Sequence, residues 1–105
     1  MTGVPLSAGV AERARRLVLE HPHVAVPPGE EDILVCPSTD PAWVPLFVRA
    51  RGLVMETGGV LSHGGIVARE FGLPGVAGLP GVLRRVQTGR RLRVDGSQGT
   101  VTLLD

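Results

Sequence analysis

One histidine lies among small, flexible residues in the middle of the chain, where it could carry a phosphoryl group. His63 follows Ser62 and precedes Gly64 and Gly65 within the run GGVLSHGGIVAREFGLPGVAG at residues 58–78. A neutral imidazole nitrogen is nucleophilic near neutral pH, and a phosphoryl group bound to it is reactive enough to be passed on. The two glycines leave room for an approaching group. From this local pattern alone, a histidine in an ordinary capped turn remains the alternative.

The residues after Ser62 predict a short helix that begins at His63. Serine is a preferred N-cap residue. Gly72 followed by Pro74 is a stop signal, because glycine adopts the left-handed conformation and proline cannot continue a helix. We expect two to three turns, with an apolar packing face formed by Ile66, Val67 and Phe71.

The first turn of this helix predicts an anion site. Its backbone amides have no intrahelical carbonyl partners and lie at the positive end of the helix dipole. We expect the N–H groups of Gly64, Gly65 and Ile66 to bind a phosphate on the His63 ring. The Ser62 hydroxyl could cap the helix or contact the phosphate, because both roles use the same oxygen position.

Other polar residues near His63 could support the imidazole. Glu56 and Thr57 precede the glycine turn and could orient the ring by hydrogen bonding, a hypothesis based only on their nearness in the chain. Arg69 lies six residues beyond His63, which places it on a different side of the helix from the phosphate. Its expected role is an ion pair with Glu56 or Glu70.

The run around His63 resembles the signature of the swivelling phosphohistidine domain of phosphoenolpyruvate (PEP)-utilising enzymes. That family includes pyruvate phosphate dikinase, PEP synthase, sugar phosphotransferase enzyme I and the rifamycin phosphotransferases. Three further segments carry the resemblance: DILVCPSTDPAWVPLF at 32–47, TGRRLRVDGSQGTVTLL at 88–104 and GVPLSAGVAE at 3–12. Because the resemblance covers essentially the whole chain, residues 1–105 are identified as a single domain of this family.

The resemblance implies a fold and a reaction. The fold is a compact three-layer β/β/α domain of the α/β class. A nucleotide-binding, ATP-grasp-like domain would phosphorylate His63, which would pass the group to pyruvate, PEP or an antibiotic-like acceptor at another domain. Magnesium with ATP or PEP would be bound by these partner domains, in cis or in trans. This domain would bind no cofactor or metal by itself and would be one component of a phosphotransferase.

The resemblance also bears on three single positions. Ser7 and Thr39 resemble small polar residues near the family's histidine loop, and the opening segment around Ser7 resembles a loop that lies beside the histidine. Leu61 stands where the dikinases and synthases have threonine, so Leu-Ser-His-Gly is closer to the rifamycin phosphotransferases.

The alternative to a phosphoryl carrier is a noncatalytic regulatory or protein-interaction domain that has kept the swivelling fold.

Length and composition exclude several other classes of protein. A chain of 105 residues can form one core, but it is too small to hold a nucleotide site, an acceptor site and a carrier together. A net charge of +1 indicates neither nucleic acid nor membrane as a partner. The sequence has no lysine, which excludes a P-loop. With no signal peptide or membrane-spanning apolar run, we expect a soluble, cytoplasmic protein. Arginine supplies all 11 basic residues, and with 15 glycines and 9 prolines this composition indicates a GC-rich bacterial genome.

Two rival sites are less favoured by the sequence. His21 and His23 could form a metal site with Cys36, but the intervening Pro22 and the missing fourth ligand favour solvated loop histidines. Cys36 is the only cysteine, and its place in a predicted strand indicates a reduced, buried thiol. The arginine-rich segment 84–93 lacks aromatic residues, so a solvated face is expected, with docking to an acidic partner second.

The remaining elements alternate between strands and helices, which predicts a layered α/β domain. Strands are predicted around residues 16–20, 33–36, 53–55 and 76–77, and a hairpin from 92–94 and 101–104. A helix is predicted from an Asp40 cap through Trp43 toward Ala50. A weak turn or helix is predicted at 81–86.

Overall fold

The computed structural model describes residues 1–18, 33–39, 43–47, 50–59, 61–86 and 91–104, with the backbone alone for 12–18 and 44–45. The strands in these ranges are β1 (Val4–Ser7), β2 (Val10–Val18), β3 (Ile33–Cys36), β4 (Gly52–Met55), β5 (Gly75–Ala77), β6 (Arg91–Asp95) and β7 (Thr100–Leu103). The helices are α1 (Val44–Phe47), α2 (His63–Phe71) and α3 (Val82–Arg85). None of these described helices has the length and hydropathy needed to cross a membrane.

The described strands pair in the order β1-β5-β4-β3-β2-β6-β7. Strands β2 to β5 run parallel to one another, whereas β1 is antiparallel to β5, β6 to β2 and β7 to β6. The long strand β2 pairs with β6 through residues 10–15 and with β3 through residues 16–18. Because its two halves pair with different neighbours, β2 belongs to both a mainly parallel sheet and an antiparallel sheet.

Two hydrophobic cores lie on opposite faces of the parallel strands. Strands β3 and β4 are buried at every position, and successive side chains of a strand point to opposite faces. On one face Leu34, Leu53 and Met55 pack with apolar residues of α1 and α2. On the other face Val35 and Val54 pack with residues of β6, β7 and α3. This layering confirms the expected three-layer β/β/α fold.

Helix α2 connects two parallel strands, and this connection positions His63. The helix returns the chain from the end of β4 to the beginning of β5, as a crossover between parallel strands must. Its first residue, His63, therefore lies at the edge where β3 and β4 end, and its last turn lies at the opposite edge. The loops that follow β3 and β4 come together beside His63.

Most predicted elements are confirmed, with small differences in their bounds. Strand β2 begins at Val10 rather than near Arg16, because its first half pairs with β6. Helix α1 is described from Val44 to Phe47, and residues 48–49, through which the prediction continued toward Ala50, lie outside the described residues. The predicted cap of α1, Asp40, and the predicted end of β2 lie outside the described residues.

Candidate functional site

The turn between β4 and α2 places Ser62 at the N-terminus of the helix. Gly58 has a φ angle of 114°, a conformation that favours glycine. The Gly59 carbonyl accepts hydrogen bonds from Ser62 N–H at 3.0 Å and from Ser62 Oγ at 2.6 Å. Ser62 Oγ accepts from Gly65 N–H at 3.3 Å, which is the bond of an N-cap residue. The Ser62 hydroxyl donates its proton to the Gly59 carbonyl and accepts from the Gly65 N–H. Both bonds lie within the turn, so the structure favours capping over phosphate contact for Ser62.

Two amides in the first turn of α2, those of His63 and Gly64, have no partner in the described part of the chain. The Gly65 N–H is bonded to Ser62 Oγ, and the Ile66 N–H donates to the Ser62 carbonyl at 3.0 Å. The expectation of a free Ile66 amide is wrong, because the carbonyl of an N-cap residue accepts the first intrahelical bond. The group of amides available to an anion is therefore smaller than the sequence indicates.

Gly64 packs the beginning of α2 directly against the ends of β3 and β4. A Cβ atom at this buried position would lie 2.5 Å from Met55 Sδ and 2.7 Å from Thr39 Oγ1. A residue with a side chain could fit here only if both neighbours moved. Gly64 therefore serves close packing between helix and sheet, whereas the sequence suggested that it leaves room for a ligand.

The imidazole of His63 is half-buried and has one nitrogen beside a hydroxyl group. Thr39 Oγ1 lies 3.3 Å from His63 Nδ1, and the same oxygen donates to Met55 Sδ at 3.8 Å. Within the described ranges, Nε2 has no hydrogen-bond partner. Thr39, which resemblance alone had placed near the histidine loop, is therefore in contact with the ring, and Nε2 is the nitrogen open to a reacting group.

Glu56 and Thr57 have partners other than the imidazole. Glu56 Oε2 accepts from the Leu83 N–H of α3 at 3.5 Å. Thr57 Oγ1 donates to the Pro37 carbonyl at 3.1 Å, and the Thr57 N–H donates to the same carbonyl at 3.0 Å. These bonds connect the loop after β4 to α3 and to the loop after β3. Glu56 and Thr57 therefore stabilise the loops around the site. Their described contacts include none with the His63 imidazole.

Ser7 and Arg69 lie toward the far end of α2. Ser7 is buried and pairs with Gly75 at the beginning of β5. This end of the parallel strands is opposite to the end at which His63 lies. The expectation that the loop around Ser7 lies beside the histidine is therefore wrong, because α2 spans about 13 Å between the two edges. Arg69 Nη1 donates to the Leu6 carbonyl at 3.0 Å and so connects the last turn of α2 to β1.

Three large apolar residues on α2 or just before it are exposed. Ile66 and Phe71 are 45% and 43% exposed, and Leu61 is 86% exposed. The buried side of α2 is formed instead by four smaller residues: Gly64, Gly65, Val67 and Ala68. The predicted packing face is thus correct only for Val67. Ile66 is rotated by about 100° from Val67 around the helix axis and faces outward.

The described residues test the rival sites only in part. Cys36 is buried, as expected, and burial raises the pKa of its thiol from 9.0 to about 12. No group of three potential metal ligands occurs in the described ranges, and His21 and His23 lie outside them. Four arginines of the arginine-rich segment are exposed, as predicted for a solvated face: Arg84, Arg85, Arg91 and Arg93.

Comparison with known proteins identifies the family of this chain. A family described as "PEP-utilising enzyme, mobile domain" matches residues 28–99, which is more than half of the chain. The chain belongs to this family. The resemblance seen in the sequence is therefore confirmed, and with it the fold class of a PEP-utilising mobile domain.

This PEP-utilising mobile domain is similar to a part of several larger curated proteins. It is 43% identical over 104 residues to rifampicin phosphotransferase of Streptomyces sviceus and 42% identical over 103 residues to that of Bacillus subtilis. It is 39% identical over 99 residues to PEP synthase of Aeropyrum pernix. These matches cover 99%, 98% and 94% of this chain, but 12% of each relative. The mobile domain thus spans about an eighth of the length of these relatives.

Solved structures show the same fold for the mobile domain. A solution structure of Enzyme I has a TM-score of 0.63 and 30% identity, over 71% of this chain and 31% of that chain. A UPF0107 protein has a TM-score of 0.74 over 100% of this chain and 98% of that chain. Its identity is only 16%, so this second likeness concerns the fold alone.

Proposed function

We propose that this domain carries a phosphoryl group on His63 between two other domains. The group is received at an ATP-binding, ATP-grasp-like domain and delivered to a second site that binds pyruvate, PEP or an antibiotic-like acceptor. One observation carries the proposal: the His63 ring lies at the first position of α2 with Nδ1 beside Thr39 and with Nε2 unpaired in the described ranges. The two rifampicin phosphotransferases among the relatives support a phosphoryl-transfer role.

The first half of the proposed reaction uses the Nε2 lone pair as the nucleophile. Nε2 attacks the donor phosphorus, an N–P bond forms, and the P–O bond to the leaving group breaks, with the electron pair going to the leaving oxygen. The proton on Nδ1 stays in place beside Thr39, so the ring is positively charged while it holds the phosphoryl group. The unpaired amides of His63 and Gly64 stabilise the phosphoryl oxygens. In the second half an acceptor oxygen, whose proton passes to a base of the acceptor-binding domain, attacks phosphorus, and the N–P electron pair returns to Nε2.

Partner domains supply the other components in this proposal. Magnesium with ATP, or PEP as an alternative donor, is bound there, in cis or in trans, and the mobile domain supplies only the histidine and its surroundings. The size of the relatives supports this division, since the matched region is 12% of each. Use of ATP or PEP is consistent with a cytoplasmic reaction.

The acceptor we favour is an antibiotic-like molecule. Identity is 43% and 42% with two rifampicin phosphotransferases and 39% with a PEP synthase. Leu61 adds to this preference, because the resemblance gives the dikinases and synthases a threonine there. A rifamycin and pyruvate are offered separately to the phosphorylated domain, each together with an acceptor-binding domain from a rifampicin phosphotransferase or a PEP synthase. The acceptor that removes the label from His63 identifies the class.

Labelling of the purified chain tests the carrier role. The chain is incubated with a cognate ATP-binding domain and ATP labelled at either the β or the γ phosphate, and in parallel with a cognate PEP-binding domain and labelled PEP. We expect acid-labile phosphate on the wild-type chain and none on His63→Ala, while His21→Ala and His23→Ala, the matched controls, label normally. Equal labelling of His63→Ala would refute the proposal. A wild-type chain that binds the partner domain but takes label from neither donor would support the noncatalytic interaction domain instead.

A further inference from the structure

The hydroxyl of Thr39 has two possible acceptors for its single proton. Its oxygen lies 3.3 Å from His63 Nδ1 and 3.8 Å from Met55 Sδ. A threonine hydroxyl can donate once and accept twice, a thioether sulfur can only accept, and a neutral imidazole has one N–H and one bare nitrogen. The acceptor that receives the Thr39 proton therefore determines which nitrogen of His63 carries the ring proton.

Two arrangements of these protons are possible. If Thr39 donates to Met55, the contact with His63 must be an Nδ1–H donation to Thr39, and Nε2 keeps its lone pair. If Thr39 donates to Nδ1, the ring proton is on Nε2, which then cannot attack phosphorus, and the sulfur has no donor from Thr39. The first arrangement makes two hydrogen bonds among the three residues and the second makes only one.

We propose that Met55 is a positioning residue for the phosphorylation of His63. Its sulfur accepts the Thr39 proton and so holds Thr39 as an acceptor for Nδ1–H, which leaves Nε2 unprotonated toward the donor. This inference deepens the proposed function and depends on it for its role in transfer. The state of the ring proton can be measured without any transfer.

The packing around Met55 holds the sulfur in place. Met55 is 1% exposed, so water does not compete for its sulfur. It pairs in register with Cys36 at the end of β3, and Thr39 follows that strand by three residues. Gly64 closes the third side, because a Cβ there would meet both the sulfur and the Thr39 oxygen. The thioether therefore faces the hydroxyl at a position fixed by two neighbouring buried strands and by the beginning of α2.

Nitrogen NMR of the unphosphorylated chain tests the inference. With ¹⁵N-labelled histidine, the shifts of Nδ1 and Nε2 in the neutral ring report which nitrogen carries the proton. We expect the wild-type His63 to be protonated on Nδ1. Met55→Leu removes the acceptor at similar volume, and the ratio of Nδ1–H to Nε2–H should fall roughly two- to tenfold, the range expected for one hydrogen bond. Leu92→Met, an exchange of the same kind in the opposite core, should leave the ratio unchanged.

A second replacement guards against a misfolded variant. The chain has only two methionines, Met1 and Met55, so growth with norleucine replaces sulfur by a methylene group at just these positions. The same fall in the ratio is expected. A wild-type ring protonated on Nε2, or a ratio unaffected by both replacements, would overturn the role of Met55. A correct ratio together with absent labelling of His63 would instead overturn the proposed function.

Discussion

Gly64 lies so close to Met55 that a Cβ on the glycine would be 2.5 Å from the methionine sulfur. This contact joins the first turn of α2 to the last residue of β4, and it fixes the height of the helix above the sheet. Because His63 precedes Gly64 directly, the position of the imidazole depends on this contact. Small changes at Gly64 should therefore affect both the stability of the domain and the site.

Replacement of Gly64 by alanine should destabilise the domain by about 1–3 kcal/mol, the usual cost of overpacking a tight contact. The helix must move away from Met55 and Thr39, so the initial rate of His63 phosphorylation should also fall. Urea unfolding and the labelling assay measure the two effects. Gly59→Ala is the matched control, because no atom of the described residues lies within 4 Å of a Cβ at Gly59. A Gly64→Ala variant as stable as Gly59→Ala would contradict the packing described here.

Replacement of Ser62 by alanine should lower the free energy of unfolding by about 1 kcal/mol through loss of the N-cap bond to Gly65. Phosphorylation of the variant should persist, because the Ser62 hydroxyl is already bonded within the turn. Ser62→Thr, which keeps a capping oxygen, should retain most of the stability. If Ser62→Ala were as stable as the wild type but could not be labelled, the hydroxyl would have to contact the phosphoryl group.

Replacement of Glu56 by glutamine should leave the labelling rate unchanged. The amide oxygen of glutamine can still accept from Leu83 N–H, and Glu56 has no described contact with His63. Glu56→Ala should lose this bond and about 1 kcal/mol of stability, again without a large change in rate. A labelling rate that falls in Glu56→Gln, with stability intact, would restore the hypothesis that the carboxylate orients the ring.

The thiol of Cys36 should make stability depend on pH at high pH. Burial raises its pKa from 9.0 to about 12, so the unfolded chain loses the thiol proton at lower pH than the folded domain. The stabilising contribution is complete below pH 9 and is lost as pH rises toward 12, at roughly 1.4 kcal/mol per pH unit. Urea unfolding at several pH values should show this fall in the wild type, and Cys36→Ala should lack it. Parallel curves for the two proteins would contradict the raised pKa.

Local features of the chain were predicted well because they depend on neighbouring residues. Helix α2 begins and ends where Ser62 and Gly72 indicate, since capping and the left-handed C-terminal residue are properties of a few consecutive positions. The bounds of β3 also agree with its short apolar run. The Ile66 amide was wrongly counted among the unpaired amides, because it donates to the carbonyl of the N-cap residue Ser62.

Relationships across the fold could not be derived from the sequence. The contact between Thr39 and His63 depends on the parallel register of β3 and β4, and only the family resemblance pointed to Thr39. Glu56 is near His63 in the chain, yet its carboxylate meets α3, which follows a different strand. The position of Ser7 required knowledge of which end of β5 pairs with β1.

Burial of β3 and β4 on both faces has a consequence for local unfolding. The residues of these two strands are buried at every position, so their amides should exchange with solvent only when the whole domain opens. The described residues of the turn between β4 and α2, 56–59 and 61–62, are exposed or half-buried, so their amides should exchange sooner. The His63 imidazole can therefore keep its position while the adjoining turn opens and closes.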